Sequence, residues 1–272
     1  MVESGGVMQS IETDQGRLFY RWCGNSQGAV LVLSHSLGAS CEMWEPQLKA
    51  LGERYRLLLY DHPGHGRSTN LSGEWTIERL GRLTLTLLDR LDVDRFHFCG
   101  LSLGGMIGLW LGVHAPGRLQ RLVVSNTAAR IADTELLAKR LELIRREGLQ
   151  AIEQSVLDRW LTEEFRGREP QTVAWVRQMF GGTTVEGYIN TSLAVCGFDI
   201  EDSLAEVATP TLVIAGRHDL ATPLQWNASI AEQIPGARLE TLDAAHLSNV
   251  EAAEAYGGAV LDFLGSKAPG SC

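Results

Sequence analysis

The sequence predicts an α/β fold: a mostly parallel central sheet with helices on both faces and an inserted helical lid. Three observations carry this expectation. Short β-rich runs recur along the chain, helical spacing fills the gaps between them, and the alternation breaks once, over residues 127–205. Alternation of this kind favours parallel strands joined by crossover helices, because each sheet face needs an apolar cover. The core is therefore expected over 1–126 and 206–272, with 127–205 as a cap.

In chain order, the expected strands are Arg17 to Trp22, Ala29 to Ser34, Tyr55 to Tyr60, Arg95 to Cys99, Leu119 to Ser125, Thr211 to Ala215 and Ala237 to Leu242. Between them, Leu80, Leu83, Leu87 and Leu91 share one helical face, and Met106, Ile107, Trp110 and Leu111 do the same after the fourth run. Thr222-Pro223 reads as the N-cap and first residue of a further helix. Ser248-x-x-Glu251 reads as a capping box that opens the last one. In the break, Leu136 to Arg146, Ala151 to Leu161, Pro170 to Phe180 and Val185 to Val195 all carry helical patterns with no strand between them. Such an insertion belongs over the carboxyl edge of the sheet, where open α/β folds bind ligands. Its charged residues, Lys139, Arg140, Arg145, Arg146, Glu163 and Glu164, are expected to form a solvated face.

Composition narrows the function classes. A chain of 272 residues at 44% hydrophobic buries a full core. A net charge of -9, with no Lys/Arg block to offset it, argues against nucleic-acid and anionic-membrane partners. The partner expected is a small-molecule substrate, and monomer and homo-oligomer both stay open. Cys23, Cys41, Cys99, Cys196 and Cys272 are odd in number and lack C-x-x-C spacing, which fits a reducing cytoplasm. Met1 to Gly6 shows no basic and apolar leader pattern, and no apolar run approaches the ~18 residues of a membrane span. His62-x-x-His65 has metal-ligand spacing without a third ligand, so no metal is expected there.

The chemistry starts at Gly100-Leu101-Ser102-Leu103-Gly104, where an apolar strand end runs into G-x-S-x-G and then a helix. Glycines on both sides permit a turn sharp enough to force the Ser102 hydroxyl out as a nucleophile. A serine needs a base to take its proton and an acid to orient that base. Asp219 follows the strand Thr211 to Ala215, and His246 lies between the last strand and the last helix, so both belong on loops at the same sheet edge as Ser102. His218, beside Asp219, competes as the base, Asp243 competes as a local partner of His246, and Asn126 stands where some hydrolases carry the acid. His97 reads as packed within a strand and His114 as a helix-end group. The oxyanion of a tetrahedral intermediate needs two N–H donors; Leu103, just after the nucleophile, and Leu37, in His35-Ser36-Leu37-Gly38, are the candidates.

Along nearly its whole length the chain resembles the α/β-hydrolase superfamily. His35-Ser36-Leu37-Gly38 stands where that superfamily often has His-Gly-x-x-Gly, and Asp61-His62-Pro63-Gly64-His65-Gly66-Arg67-Ser68 matches its D-x-x-G-x-G-x-S turn. A narrower resemblance is to the 3-oxoadipate enol-lactonases of aromatic-compound degradation. It rests on Ser36-Leu37-Gly38 followed by Met43-Trp44, on the blocks Gly100 to Met106, Ser125 to Ile131 and Ala215 to Pro223, and most specifically on Leu242 to Glu251. The chain departs from that family at His35, where Asn is usual, and in the turn Asp61-His62-Pro63, where Asp-Thr-Arg is usual. The resemblance implies hydrolysis of a carboxylated cyclic enol ester with no cofactor. Such a substrate calls for a cation near the site, with Arg130 the first candidate and Arg159 the second. Trp44 and Trp160 are candidate apolar walls, although Trp44 with Leu48 and Leu51 also reads as a buried helix face. Rival readings on the same three residues are a carboxylesterase, a carbon-carbon bond hydrolase, a cofactor-free perhydrolase and a non-catalytic receptor.

Overall fold

The computed structural model describes residues 8–13, 16–131 and 134–266. The Met1 to Gly6 segment and Cys272 lie outside them. Eight strands form one sheet: β1 (Met8–Thr13), β2 (Gly16–Gly24), β3 (Val30–Ser34), β4 (Arg56–Tyr60), β5 (Phe96–Leu101), β6 (Leu119–Ser125), β7 (Thr211–Gly216) and β8 (Arg238–Leu242). Their spatial order is β1-β2-β4-β3-β5-β6-β7-β8. The β1–β2 and β2–β4 pairs are antiparallel, and every other pair is parallel.

The helices are α1 (Glu45–Gly52), α2 (Ile77–Arg90), α3 (Leu103–His114), α4 (Thr134–Glu147), α5 (Glu153–Trp160), α6 (Glu163–Arg168), α7 (Pro170–Gly181), α8 (Val185–Cys196), α9 (Leu224–Gln233), α10 (Ser248–Glu251) and α11 (Ala253–Gly265). Alternation along the strands divides the core in two. Leu31, Leu33, Leu57, Leu59, Cys99 and Leu101 face Trp44, Leu51, Tyr256 and Phe263 on one side. Val32, Leu58, Phe96, Phe98 and Leu122 face Leu80, Leu87, Ile107 and Trp110 on the other. Burial on both faces explains why β3, β4 and β7 read as near-continuous apolar runs.

From β3 the chain leaves toward β4, and from β5 it leaves in the opposite direction toward β6. The neighbouring carboxyl ends of β3 and β5 therefore form a topological switch point, the crevice where such sheets bind ligands. All seven expected strands form, within two residues at each end. The edge strand β1 was not expected, because its MQSIET side chains are largely exposed and its register with β2 is held by backbone pairing.

Two helix-start expectations need correction. The helix after Thr222-Pro223 begins at Leu224, and the Thr222 hydroxyl donates to Asp219 Oδ2 at 2.7 Å rather than capping it. Ser248 and Glu251 form no capping box. Ser248 Oγ donates to Asn126 Oδ1 at 2.5 Å, and the Glu251 carboxylate accepts from Ala245 N at 2.9 Å and from the Thr162 hydroxyl. Both side chains are drawn to partners across the fold, and the last helical segment is split into α10 and α11. The break in alternation folds as α4 to α8, with α6 additional to the four helices expected.

Candidate active site

Ser102 sits between β5 and α3 with φ 57° and ψ -111°, a left-handed conformation costly for a residue with a side chain. The surroundings over-determine it. Ser102 N donates to Ser125 O at 2.9 Å, the Thr127 hydroxyl donates to Ser102 O at 2.7 Å, and Gly104 N donates to His35 O at 3.2 Å. The flanking glycines are required by contact: a Cβ on Gly100 would lie 2.1 Å from Gly104 O, and one on Gly104 would lie 2.2 Å from Ser34 O. Among the described residues nothing hydrogen-bonds the Ser102 hydroxyl. Hydrogen bonds of a nucleophile often tighten only with substrate in place.

His246 and Asp219 are brought together, with His246 Nδ1 donating to Asp219 Oδ2 at 2.8 Å, both side chains being almost fully buried. That bond fixes the proton on Nδ1 and leaves Nε2 as an acceptor. Asp219 collects four more donors: Asn126 Nδ2 at 2.9 Å and the Thr222 hydroxyl at 2.7 Å on Oδ2, and Ala221 N at 2.7 Å and Thr222 N at 3.0 Å on Oδ1. Burial pushes the carboxyl up, but His246 and the Thr222 donors outweigh it and hold Asp219 well below the usual carboxylate range.

Asn126 is the hub that the sequence did not reveal. It has φ 46°, and its amide also donates to Ala245 O at 3.2 Å while its oxygen accepts from Ser248. Its neighbours Ser125 and Thr127 hold the Ser102 backbone. Residues 125–127 thus fasten the loops of Ser102, Asp219 and His246 to each other. The rivals go elsewhere: His218 Nε2 pairs with Asp243 Oδ1 at 2.8 Å on the surface, His97 packs edge-on against Tyr55, and His114 stacks on Trp110.

Leu37 N and Leu103 N have no hydrogen-bond partner among the described residues, whereas the adjacent Gly38 N donates to His65 Nε2 at 3.1 Å and Ser36 N is taken by Met43 Sδ at 3.3 Å. The loop after β3 is framed by three buried imidazoles. His35 Nε2 accepts from His62 N at 2.8 Å, and the His35 and His62 rings lie 4.2 Å apart. His35 Nδ1 donates to Ser36 O and His65 Nδ1 to Pro63 O, each at 2.8 Å. His62 Nε2 lies 3.2 Å from both Ser34 Oγ and His35 O, and no described group of three His, Cys, Asp or Glu side chains is placed to hold a metal ion. Gly38, at φ 78°, lets this loop pass close to α7 and α8, where a Cβ would meet Tyr188 and Phe180 at 3.0 and 3.1 Å.

Burial holds these imidazoles neutral, with His62 lowered to about 3, His65 to about 4, and His35 well below its ordinary value. An unfolded histidine takes its proton near 6.5, so between pH 6.5 and 4 the unfolded chain binds more protons and stability rises with pH. Acidification across that window should lower the unfolding free energy read from urea titrations, by on the order of 1 kcal/mol per pH unit for each histidine. His62→Gln should flatten the slope; parallel slopes in variant and wild type would contradict the assignment.

Of the remaining candidates, Trp160 lies beside the histidine loop: its carbonyl accepts from Leu247 N at 2.9 Å, next to His246, and its buried ring meets Phe180 edge-on at 5.8 Å. Trp44 does not. It is fully buried against Tyr256 at 6.0 Å, in the core, with no surface for a ligand to touch. Arg130 is also displaced: it is exposed and faces Asp199 at 3.9 Å and Glu201 at 3.6 Å, which neutralise it beside the isolated bridge between Arg130 and Asp199.

Residues 29–253 match the family described as the alpha/beta hydrolase fold. The chain is 35% identical over 243 residues to 3-oxoadipate enol-lactonase 2 of Acinetobacter baylyi, covering 89% of this chain and 91% of that one. Its fold superposes on the crystal structure of the enol-lactonase from Burkholderia xenovorans LB400 with a TM-score of 0.93, at 39% identity, covering 95% and 100% of the two chains. A thermophilic esterase from Thermogutta terrifontis superposes with a TM-score of 0.88 at 26% identity, covering 95% and 98%. The chain belongs to the α/β-hydrolase family and is a hydrolase.

Proposed function

We propose that the protein opens a small carboxylated enol-lactone, 3-oxoadipate enol-lactone, through an acyl-enzyme on Ser102. The observation that supports this reading is the Asp219–His246 pair at 2.8 Å, tied through Asn126 and its neighbours to the strained Ser102, together with the Leu37 and Leu103 N–H groups, which have no partner among the described residues. The likeness to enol-lactonases in sequence and in fold supplies the substrate class.

The proton path follows from the tautomer. His246 Nε2 takes the hydroxyl proton as Ser102 Oγ attacks the lactone carbonyl carbon, and Asp219 stabilises the imidazolium. The N–H groups of Leu37 and Leu103 hold the oxyanion. Collapse breaks the ring C–O bond; the leaving enol oxygen takes a proton from His246 and stays tethered to the acyl group, because ester and leaving group belong to one ring. Water then gives a proton to His246 as it attacks the acyl carbon; when the acyl C–O bond breaks, Ser102 Oγ takes that proton from His246, and the enol tautomerises to a ketone. An enolate delocalises its charge, so its departure demands less acid assistance than an alkoxide's.

A cytoplasmic setting belongs to the same reading: Cys23, Cys41, Cys99 and Cys196 are free thiols, and no described helix is long and apolar enough to cross a membrane. The test is decay of the lactone's ultraviolet absorbance beside a panel of simple esters and diketones. A kcat/KM for the enol-lactone at least about 100-fold above that for simple esters is expected, a differential of ~2.7 kcal/mol. Equal rates would transfer the assignment to a general carboxylesterase, the reading that the esterase likeness favours.

A further inference from the structure

His246 stands on the loop 243–247 between β8 and α10, and the backbone N–H groups on either side of it both lead to the junction of α5 and α6. Leu247 N donates to the carbonyl of Trp160, the last residue of α5, at 2.9 Å. Ala245 N donates to Glu251 Oε2 at 2.9 Å. The same carboxylate accepts from the Thr162 hydroxyl, and Thr162 N lies 3.3 Å from Oε2 and 3.4 Å from Oε1. Thr162 is in turn the N-cap of α6, its hydroxyl oxygen accepting from Phe165 N at 3.2 Å. Residues 160 and 162 therefore bracket the histidine, one directly and one through Glu251.

The carbonyl groups of the loop go to the other side. Ala245 O accepts from Asn126 Nδ2 at 3.2 Å and Ala244 O from His218 N at 3.0 Å, while a Cβ on Gly216 would lie 2.2 Å from Ala245 O. The core thus holds the loop by its carbonyls, and α5 and α6 hold it by its N–H groups. Glu251 suits the second task because a carboxylate is acceptor-only with two oxygens, so one side chain takes donors from two segments at once. An amide at 251 would turn its NH₂ group against one of those sets. Placement matters here, since a shift of about 1 Å in a catalytic group costs on the order of 10²-fold in rate.

We propose that Glu251 is a positioning residue for His246: by joining Ala245 N to Thr162 it locks the histidine loop to the α5–α6 junction, and that junction sets the reach of His246 Nε2 toward Ser102. The proposal rests on the reading of His246 as the base, but not on the identity of the substrate.

The test follows covalent labelling of Ser102 by a fluorophosphonate at rising concentration, which reads activation of the nucleophile without a chosen ester. Glu251→Ala should lower the limiting rate about 30-fold and Glu251→Gln about tenfold, with the half-saturating concentration unchanged. Thr162→Val cuts the same link from its far end, leaves the bond from Ala245 N to Glu251 intact, and carries the test where Glu251→Ala fails to fold. It should lower the limiting rate about fivefold, and Thr162→Ser should restore it. The double variant of Glu251→Ala and Thr162→Val should be no slower than Glu251→Ala alone, because both changes break one connection. Amide hydrogen exchange at Ala245 and Leu247 should accelerate in the slowed variants, and Glu254→Gln, exposed on α11, should alter neither rate nor exchange. A limiting rate within about twofold of wild type in Glu251→Gln and Thr162→Val, even with a lower melting temperature, would reduce the link to a structural tie and overturn the proposal, as would additive losses in the double variant. His246→Gln separates the two readings. Undiminished labelling in that variant would remove His246 as the base, whereas labelling lost there but kept in the Glu251 and Thr162 variants would refute the positioning role alone.

Discussion

Ser102→Ala should reduce kcat by on the order of 10⁵-fold while the fold and KM change little. The size follows from the division of labour at the site. Without the hydroxyl no acyl-enzyme forms, and what remains is the oxyanion donors of Leu37 and Leu103 acting on water. The mild effect on the fold follows from the backbone. The bonds that hold the turn, from Ser102 N to Ser125 O and from the Thr127 hydroxyl to Ser102 O, are made by main-chain atoms that alanine keeps. The hydroxyl itself has no partner to lose among the described residues. Alanine at φ 57° is strained to a degree similar to serine. Turnover and fluorophosphonate labelling should both vanish in a protein whose circular dichroism and melting temperature match wild type. Labelling that survives in the alanine variant would place the nucleophile at another serine.

How far the sequence disclosed this site depends on the range of each interaction. Ser102, its glycines, Asp219 and His246 were legible because each is tied to a local signal: a strand end, a turn, a fixed order along the chain. The buried strands were legible for the same reason, since burial on both faces leaves an apolar run in the sequence. Asn126 was visible only as an absence, the missing acid at an alternative position; its work is done through Asp219, Ala245 and Ser248, about a hundred residues away. Ser248 and Glu251 satisfied a local capping rule, yet both side chains found stronger partners across the fold. The arginines show the limit most clearly. Arg130 and Arg159 are the same residue type in the same lid, and only packing tells that one is neutralised by two acids at the surface and the other is half-buried beside the site.

Asp219→Asn should lower kcat by about 10³- to 10⁴-fold and should also lower stability, a pairing that Ser102→Ala should not show. Five donors converge on the Asp219 carboxylate: Ala221 N and Thr222 N on one oxygen, and the Thr222 hydroxyl, Asn126 Nδ2 and His246 Nδ1 on the other. An amide offers one oxygen and turns its NH₂ group against the remaining donors. If the oxygen stays with Ala221 and Thr222, the NH₂ faces His246, which must then carry its proton on Nε2 and can no longer accept one from Ser102. If the oxygen faces His246, the two backbone N–H groups behind it are left buried without an acceptor, at about 1–3 kcal/mol each. The first arrangement removes the base, the second loosens the loop, and neither supplies the negative charge that stabilises an imidazolium. Steady-state kinetics should therefore show the loss in kcat with KM nearly unchanged, the melting temperature should fall by several degrees, and the downfield Nδ1 proton resonance of a carboxylate-held imidazole should disappear. His218→Gln, which breaks only the surface pair with Asp243, should leave all three measurements as in wild type. Activity in Asp219→Asn within tenfold of wild type would mean that His246 is oriented by another group, and the assignment of the acid would have to be abandoned.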